Sequence, residues 1–120
     1  MSTNDTCCTI VPYFNVTDEN MAEFKSMCTQ FVELTSSEEL CLFYGFSFNG
    51  NTVHCREGYV NGEGVLAHLD NVGELLQKAL GISELAKLEI HGPEAELAKL
   101  RDALSHLPVE WFVLEYGFRK

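Results

Sequence analysis

The stretch GVLAHLDNVGELL, residues 64 to 76, sets a histidine and an asparagine into an otherwise apolar helical pattern. With about 100° per residue, measured from Val65, His68 projects at about −60°. That direction is the flank of the stripe formed by Val65, Leu69, Val72, Leu76 and Ala79, so the imidazole points partly inward. Asn71, at about −120° on the same count, lies nearer solvent, one turn along. A neutral imidazole at the edge of an apolar cavity can take a proton from a phenol or quinol, because its reference pKa of about 6.5 leaves it mostly unprotonated at neutral pH. The resulting anion is electron-rich and can pass an electron to dioxygen. Such an oxygenation requires a base, hydrogen bonds to the anion and a dry cavity, but no cofactor. In this reading His68 is the base, Tyr13, Tyr44, Tyr59 and Asn71 orient the substrate, and Phe14, Phe43, Phe46 and Trp111 form walls. The competing reading makes His68 a core histidine bonded to a backbone carbonyl or water, and the aromatics ordinary core residues.

Other chemistries find less support. His54 and Cys55 are neighbours on a strand and point to opposite faces, so they cannot chelate together. His91 and His106 sit near element ends and no two histidines are four residues apart, so no metal site is expected. VNGEGV lacks the spacing of a phosphate-binding glycine loop, and no serine sits in a nucleophile motif. Eighteen acidic against eight basic residues give a net charge of −10, which opposes nucleic acid and anionic membrane partners. The five cysteines, Cys7, Cys8, Cys28, Cys41 and Cys55, are odd in number and have no C-x-x-C spacing. They read as reduced thiols, although adjacent Cys7 and Cys8 are a conceivable redox pair.

The elements that must position these residues follow from periodicity. At 120 residues, 46% hydrophobic, the chain reads as one domain with a single core after a flexible leader over residues 1–7. With no membrane-length apolar run and no basic, apolar start, a cytoplasmic location is expected. CTIVPYFNV (8–16) is a β-branched and aromatic strand in which Pro12 calls for an edge, a bulge or an irregularity. Met21, Phe24, Cys28, Phe31 and Val32 predict a helix over about 18–34, broken by TSSEE. Two β-rich runs then flank Asn49-Gly50, a strong hairpin signal that pairs Phe46 with Val53 and Tyr44 with Cys55. The second helix runs from about 63 to 80, followed by a strand over 85–92, a helix over 93–107 opened by Pro93, and a strand over 109–118. The order β-α-β-β-α-β-α-β predicts an α+β, ferredoxin-like antiparallel sheet with helices on one face. Apolar residues on both faces of the hairpin call for a second sheet from a twofold-related copy.

The strand-to-helix passage REGYVNGEGVLAHLDNVGELL (56–76) and the tail LEIHGPEAELAKLRDALSHLPVEWFVLEYGFR (88–119), with the β-α-β start, resemble the dimeric α+β barrel superfamily and its antibiotic-biosynthesis-monooxygenase-like group. The resemblance implies a homodimer whose two sheets form a barrel, with a pocket between each sheet and its helices. It implies cofactor-independent oxygenation of quinols or aromatic polyketides in some members, haem degradation in others, and no assigned activity in many. His68 matches a histidine often found early in the second helix, and Tyr59 lies near an aromatic position of the haem degraders. Asn15 is displaced from their first-strand asparagine, and Trp111 sits in the last strand rather than beside the second helix. Haem degradation is therefore the weaker oxygenase reading. Two functional expectations follow: a cofactor-independent monooxygenase acting on a small aromatic or quinol, or a non-catalytic dimeric module binding a small ligand. Convergence of His68 with a tyrosine on one cavity favours the first.

Overall fold

The computed structural model describes residues 3–120 as five strands and three helices. They are β1 (Cys8–Asn15), α1 (Asp18–Ser36), β2 (Cys41–Asn49), β3 (Thr52–Tyr59), α2 (Gly62–Leu80), β4 (Glu84–Gly92), α3 (Glu94–Leu97) and β5 (Glu110–Val113). The sheet order is β2-β3-β1-β4-β5. Its first four strands are antiparallel neighbours in ferredoxin-like order, and the helices cover one face. β5 departs from the expected antiparallel sheet by joining β4 in parallel, Ile90 opposite Trp111. The chain reaches it by a crossover, which parallel neighbours require.

That crossover is also less helical than its sequence suggests. Only Glu94–Leu97 is α-helix, and turns follow. Several amides there bond three residues back, Lys99 N–H to Glu96 O and Leu100 N–H to Leu97 O, rather than four. The tighter winding still buries Leu97, Leu100 and Leu104, so the apolar spacing marks the buried face correctly although the helix is short. β5 is likewise four residues long instead of ten.

In β2–β3 the registry differs by two residues from the expected one: Phe46 faces Cys55, Tyr44 faces Glu57 and Asn49 faces Thr52. The two central turn residues are Gly50 and Asn51, and Gly50 carries φ of 56°, the first central position at which a II′ hairpin turn takes a glycine. A shift of two preserves which face each side chain takes. Pro12 sits in a central strand, opposite Leu88 and next to a register shift between Tyr13 and Phe14. Its missing N–H leaves a gap in the ladder to β3, and its carbonyl accepts a hydrogen bond from His54 Nδ1 at 2.8 Å.

α1 begins with Asp18 and Glu19, whose charges suit the helix N-terminus. Two side chains hold the start of α2. Asn61 Oδ1 accepts from Gly64 N–H, and the Glu96 carboxylate accepts from Gly62 N–H, both at 2.9 Å. Between helices and sheet lie two apolar clusters. One is centred on Phe24, Phe31 and Val72, the other on Tyr59, Val65 and Leu100. Full burial of a side chain such as Phe24 contributes about 1.5–3 kcal/mol.

Candidate active site

A cavity of about 80 Å³ lies where the two clusters meet, under α2 and against β1–β4. It is lined mostly by aliphatic side chains and phenylalanines, Phe14 and Phe46 among them. Its polar lining is confined to Tyr44, Cys55, Glu57 and His68.

Strand alternation creates the polar island. Val53, Cys55, Glu57 and Tyr59 share the inward face of β3, so Glu57 is buried among apolar neighbours. Burial pushes its carboxyl up to about 7, although hydrogen bonds from Tyr59 and Cys55 pull the other way. The Tyr59 hydroxyl donates to Glu57 Oε1 at 2.7 Å. Burial and the adjacent Glu57 hold the Tyr59 and Cys55 protons firmly, and burial does the same for Tyr44.

His68 reaches the island from α2 and is 3% exposed. Its ring lies between Tyr44 and Tyr59, with centroids 5.3 and 5.0 Å away. Nδ1 is 2.9 Å from Glu38 Oε2. A carboxylate only accepts, so Nδ1 carries the proton and donates it. Glu38 comes from the turn after α1 and is itself held by Asn71, whose Nδ2 donates to Glu38 Oε2 and to Leu34 O, both at 2.9 Å. Nε2 is thereby left with its lone pair facing Glu57 Oε1 at 3.4 Å. Burial lowers the pKa of His68, opposed by the hydrogen bond and charge of Glu38. Near neutrality the favoured form is thus a neutral imidazole beside a carboxyl that is close to its own pKa. One proton can sit on either side of the pair.

The residues singled out in the sequence divide three ways. His68 and Tyr44 converge on the cavity, as do Phe14 and Phe46. Tyr59 and Asn71 stand behind it, holding Glu57 and Glu38. Tyr13 and Phe43 are not at the cavity: strand parity turns them to the other sheet face, where Tyr13 stacks on His54 and Phe43 lies under the Arg56 guanidinium. Trp111 packs at the sheet edge under Arg101, outside the cavity lining. Asn15 bonds Glu84 at the far end of β1. His68 Nδ1 is held by the Glu38 carboxylate, a partner that the core-histidine reading did not include.

Sequence reasoning missed Glu38 and Glu57. The period-two face of Val53, Cys55 and Tyr59 marks Glu57 as an inward carboxylate, a signal available in the chain. Glu38 lies in a break between elements, where no periodicity indicates direction. Among the described residues, no group of three or more His, Cys, Asp or Glu side chains could hold a metal ion. Burial raises the thiol pKa of each cysteine, Cys8 to about 12 and Cys28 and Cys41 to about 11. No reactive thiolate results. All five are free.

Neither a family model nor a curated protein sequence matches the chain. Solved structures do. MupZ from Pseudomonas fluorescens is 41% identical over 97% of this chain and 96% of its own, with a TM-score of 0.91. A proposed antibiotic biosynthesis monooxygenase from Nitrosomonas europaea shares the fold at 13% identity and a TM-score of 0.68, over 78% of this chain and 96% of that one. A conserved protein from Methanosarcina mazei does so at 22% and 0.64, over 71% and 88%. With 41% identity over nearly its full length, the chain belongs to one family with MupZ, and it shares its fold with the structures named antibiotic biosynthesis monooxygenases.

Proposed function

We propose that this protein is an acid–base enzyme that moves a proton on a small molecule held in the cavity, using Glu57 and His68 as the exchanging pair. One observation carries the reading. Nδ1 of His68 is committed to Glu38, so Nε2 is aimed at a buried carboxyl whose pKa lies at about 7. A donor and an acceptor that are both available near neutrality, in a largely apolar cavity, are the requirements of general acid–base catalysis. Tyr44 supplies a hydroxyl at the same wall to hold a substrate oxygen. His68 and Glu57 would act without a cofactor, and Glu38, Asn71 and Tyr59 would position them.

Two reactions begin with such a transfer. A redox-neutral one, such as shifting a double bond or opening or closing a carbon–oxygen bond, uses both the donor and the acceptor. The presence of both favours it. Oxygenation of a small aromatic or quinol uses the acceptor alone, after which the substrate anion reduces dioxygen. The names of several solved neighbours favour this second reading. We further propose that the protein works as a cytoplasmic homodimer, joined through the uncovered sheet face that carries Tyr13, Phe43 and the 44% exposed Phe112.

The test compares the protein, with chelator present, with its Glu57→Gln and His68→Ala variants. Each is incubated in D₂O with a panel of quinols and of neutral hydroxy and carbonyl compounds, with and without oxygen. Solvent deuterium incorporated into substrate or product is read by mass spectrometry, alongside oxygen uptake. Incorporation that both substitutions abolish is expected. Conversion without oxygen selects the redox-neutral reaction, and strict oxygen dependence selects oxygenation. Equal conversion by the variants would remove the pair from the chemistry. No conversion across the panel would leave a non-catalytic ligand-binding module as the better account.

A further inference from the structure

The cavity has a charge preference as well as a shape. Of the eight Lys and Arg residues, none among the described residues lines it. Lys25 and Arg56 lie over the rings of Phe48 and Phe43. Lys87, Lys99 and Arg101 pair with glutamates on the surface, and Arg119 pairs with Asp5. Lys78 and Lys120 are exposed. Besides the His68 imidazole, which burial favours in its neutral form, the side chains at the site that can carry charge are acidic: Glu57 in the wall and Glu38 behind His68.

A carboxylate or phosphate entering this space would lose its water, find no lysine or arginine, and sit near two acidic groups in a medium that screens poorly. An uncharged molecule meets neither penalty. The cavity also offers one hydroxyl to a bound oxygen, that of Tyr44 in its wall. The buried Thr35 hydroxyl stands behind it, within reach of Tyr44 and outside the cavity lining. Most of the remaining wall is aliphatic.

We infer that the substrate is an uncharged, largely aliphatic molecule whose oxygen function docks against Tyr44 beside Glu57 and His68, and that the cavity rejects anions. The inference rests on the acid–base reading for the position of the reacting oxygen, but binding tests it without turnover.

The experiment titrates the full-length protein with 1-hexanol, hexylammonium and hexanoate at about pH 8, where both ionic probes are charged. Binding is followed by NMR through the His68 ring and nearby methyl signals. The expected order is hexanol tightest, then hexylammonium, with hexanoate weaker than hexylammonium by at least about tenfold. A purely apolar pocket would treat the two ions alike. Glu57→Gln is expected to narrow the gap between them. Tyr44→Phe is expected to weaken hexanol, whereas Tyr13→Phe, on the opposite sheet face, leaves it unchanged. Hexanoate binding as well as or better than hexylammonium would overturn the inference, as would hexanol failing to perturb these signals. If hexanoate wins while Glu57→Gln still abolishes turnover, the acid–base reading survives and the charge rule falls. The expected order with a fully active Glu57→Gln variant would do the reverse.

Discussion

Replacing Glu57 with Gln should make the protein more stable in mild alkali and leave it nearly unchanged in acid. Gln has the shape of the protonated carboxyl, and its amide oxygen can still accept the Tyr59 hydroxyl that donates to Glu57 at 2.7 Å. The magnitude follows from linkage. Burial raises this carboxyl from 4.5 to about 7, and at about 1.4 kcal/mol per pH unit the difference is about 3 kcal/mol. Below pH 4.5 the group is protonated in both the folded and the unfolded chain and has no cost; above pH 7 it is ionised in both, and the folded state bears the whole desolvation penalty. Stability from this group is therefore fully present below 4.5 and lost as the pH rises through about 7. Urea denaturation of wild type and variant at about pH 4 and about pH 8.5 isolates the effect, because the other carboxylates titrate in both proteins. The variant should gain about 2–3 kcal/mol at the higher pH and differ by less than about 0.5 kcal/mol at the lower. A stability difference that is the same at both pH values would refute the claim that Glu57 is buried at the cost of its charge. The same substitution should abolish activity, so a catalytic carboxylate would be retained against its effect on stability.

Tyr59→Phe removes a hydrogen bond that holds the Glu57 pKa down, so the carboxyl should titrate at still higher pH; ¹³C NMR of the labelled carboxyl reads the shift, and a downward movement would contradict the assignment. Glu38→Gln keeps an oxygen that can accept from His68 Nδ1–H but removes the charge that helps raise the His68 pKa, so burial should depress it further, as a ring-proton titration would show. Glu38→Ala, which removes the acceptor as well, should impair catalysis more through kcat than through KM, because the ring loses its orientation and not its contact with substrate. Gly50→Ala forces a side chain onto φ of 56° and should cost about 1 kcal/mol in thermal or urea unfolding. An unchanged midpoint would mean that the turn relaxes. Gly62→Ala sets a methyl 2.9 Å from the Glu96 carbonyl oxygen. It should destabilise by about 1–3 kcal/mol and loosen the start of α2, seen as faster amide exchange there.

Much of the architecture is legible in the chain because it depends on local period. The apolar spacing of Phe24, Cys28 and Phe31 sets α1, Val65, Val72 and Ala79 set the buried stripe of α2, and alternation decides which side of each strand is covered. The same rule shows His68 turning inward and, read with Cys55 and Tyr59, shows Glu57 doing so. Other features depend on partners far along the chain. Whether β5 runs parallel to β4, and whether the hairpin turns at 49–50 or 50–51, is decided by how the pieces pack, since the competing arrangements have the same local pattern. The direction of Tyr13 and Phe43 away from the cavity was implicit in strand parity, but only the assembled sheet shows which face the helices cover. The proposed acid–base pair comes from the tertiary fold. Glu38, Glu57 and His68 lie on a turn, a strand and a helix, and their sequence separations carry no signal. Sequence by itself determined the elements and their buried faces, because neighbouring residues fix backbone period. Tertiary packing alone decided the candidate site, because a carboxyl pushed up to about 7 and an imidazole with one committed nitrogen exist only where burial and distant partners meet.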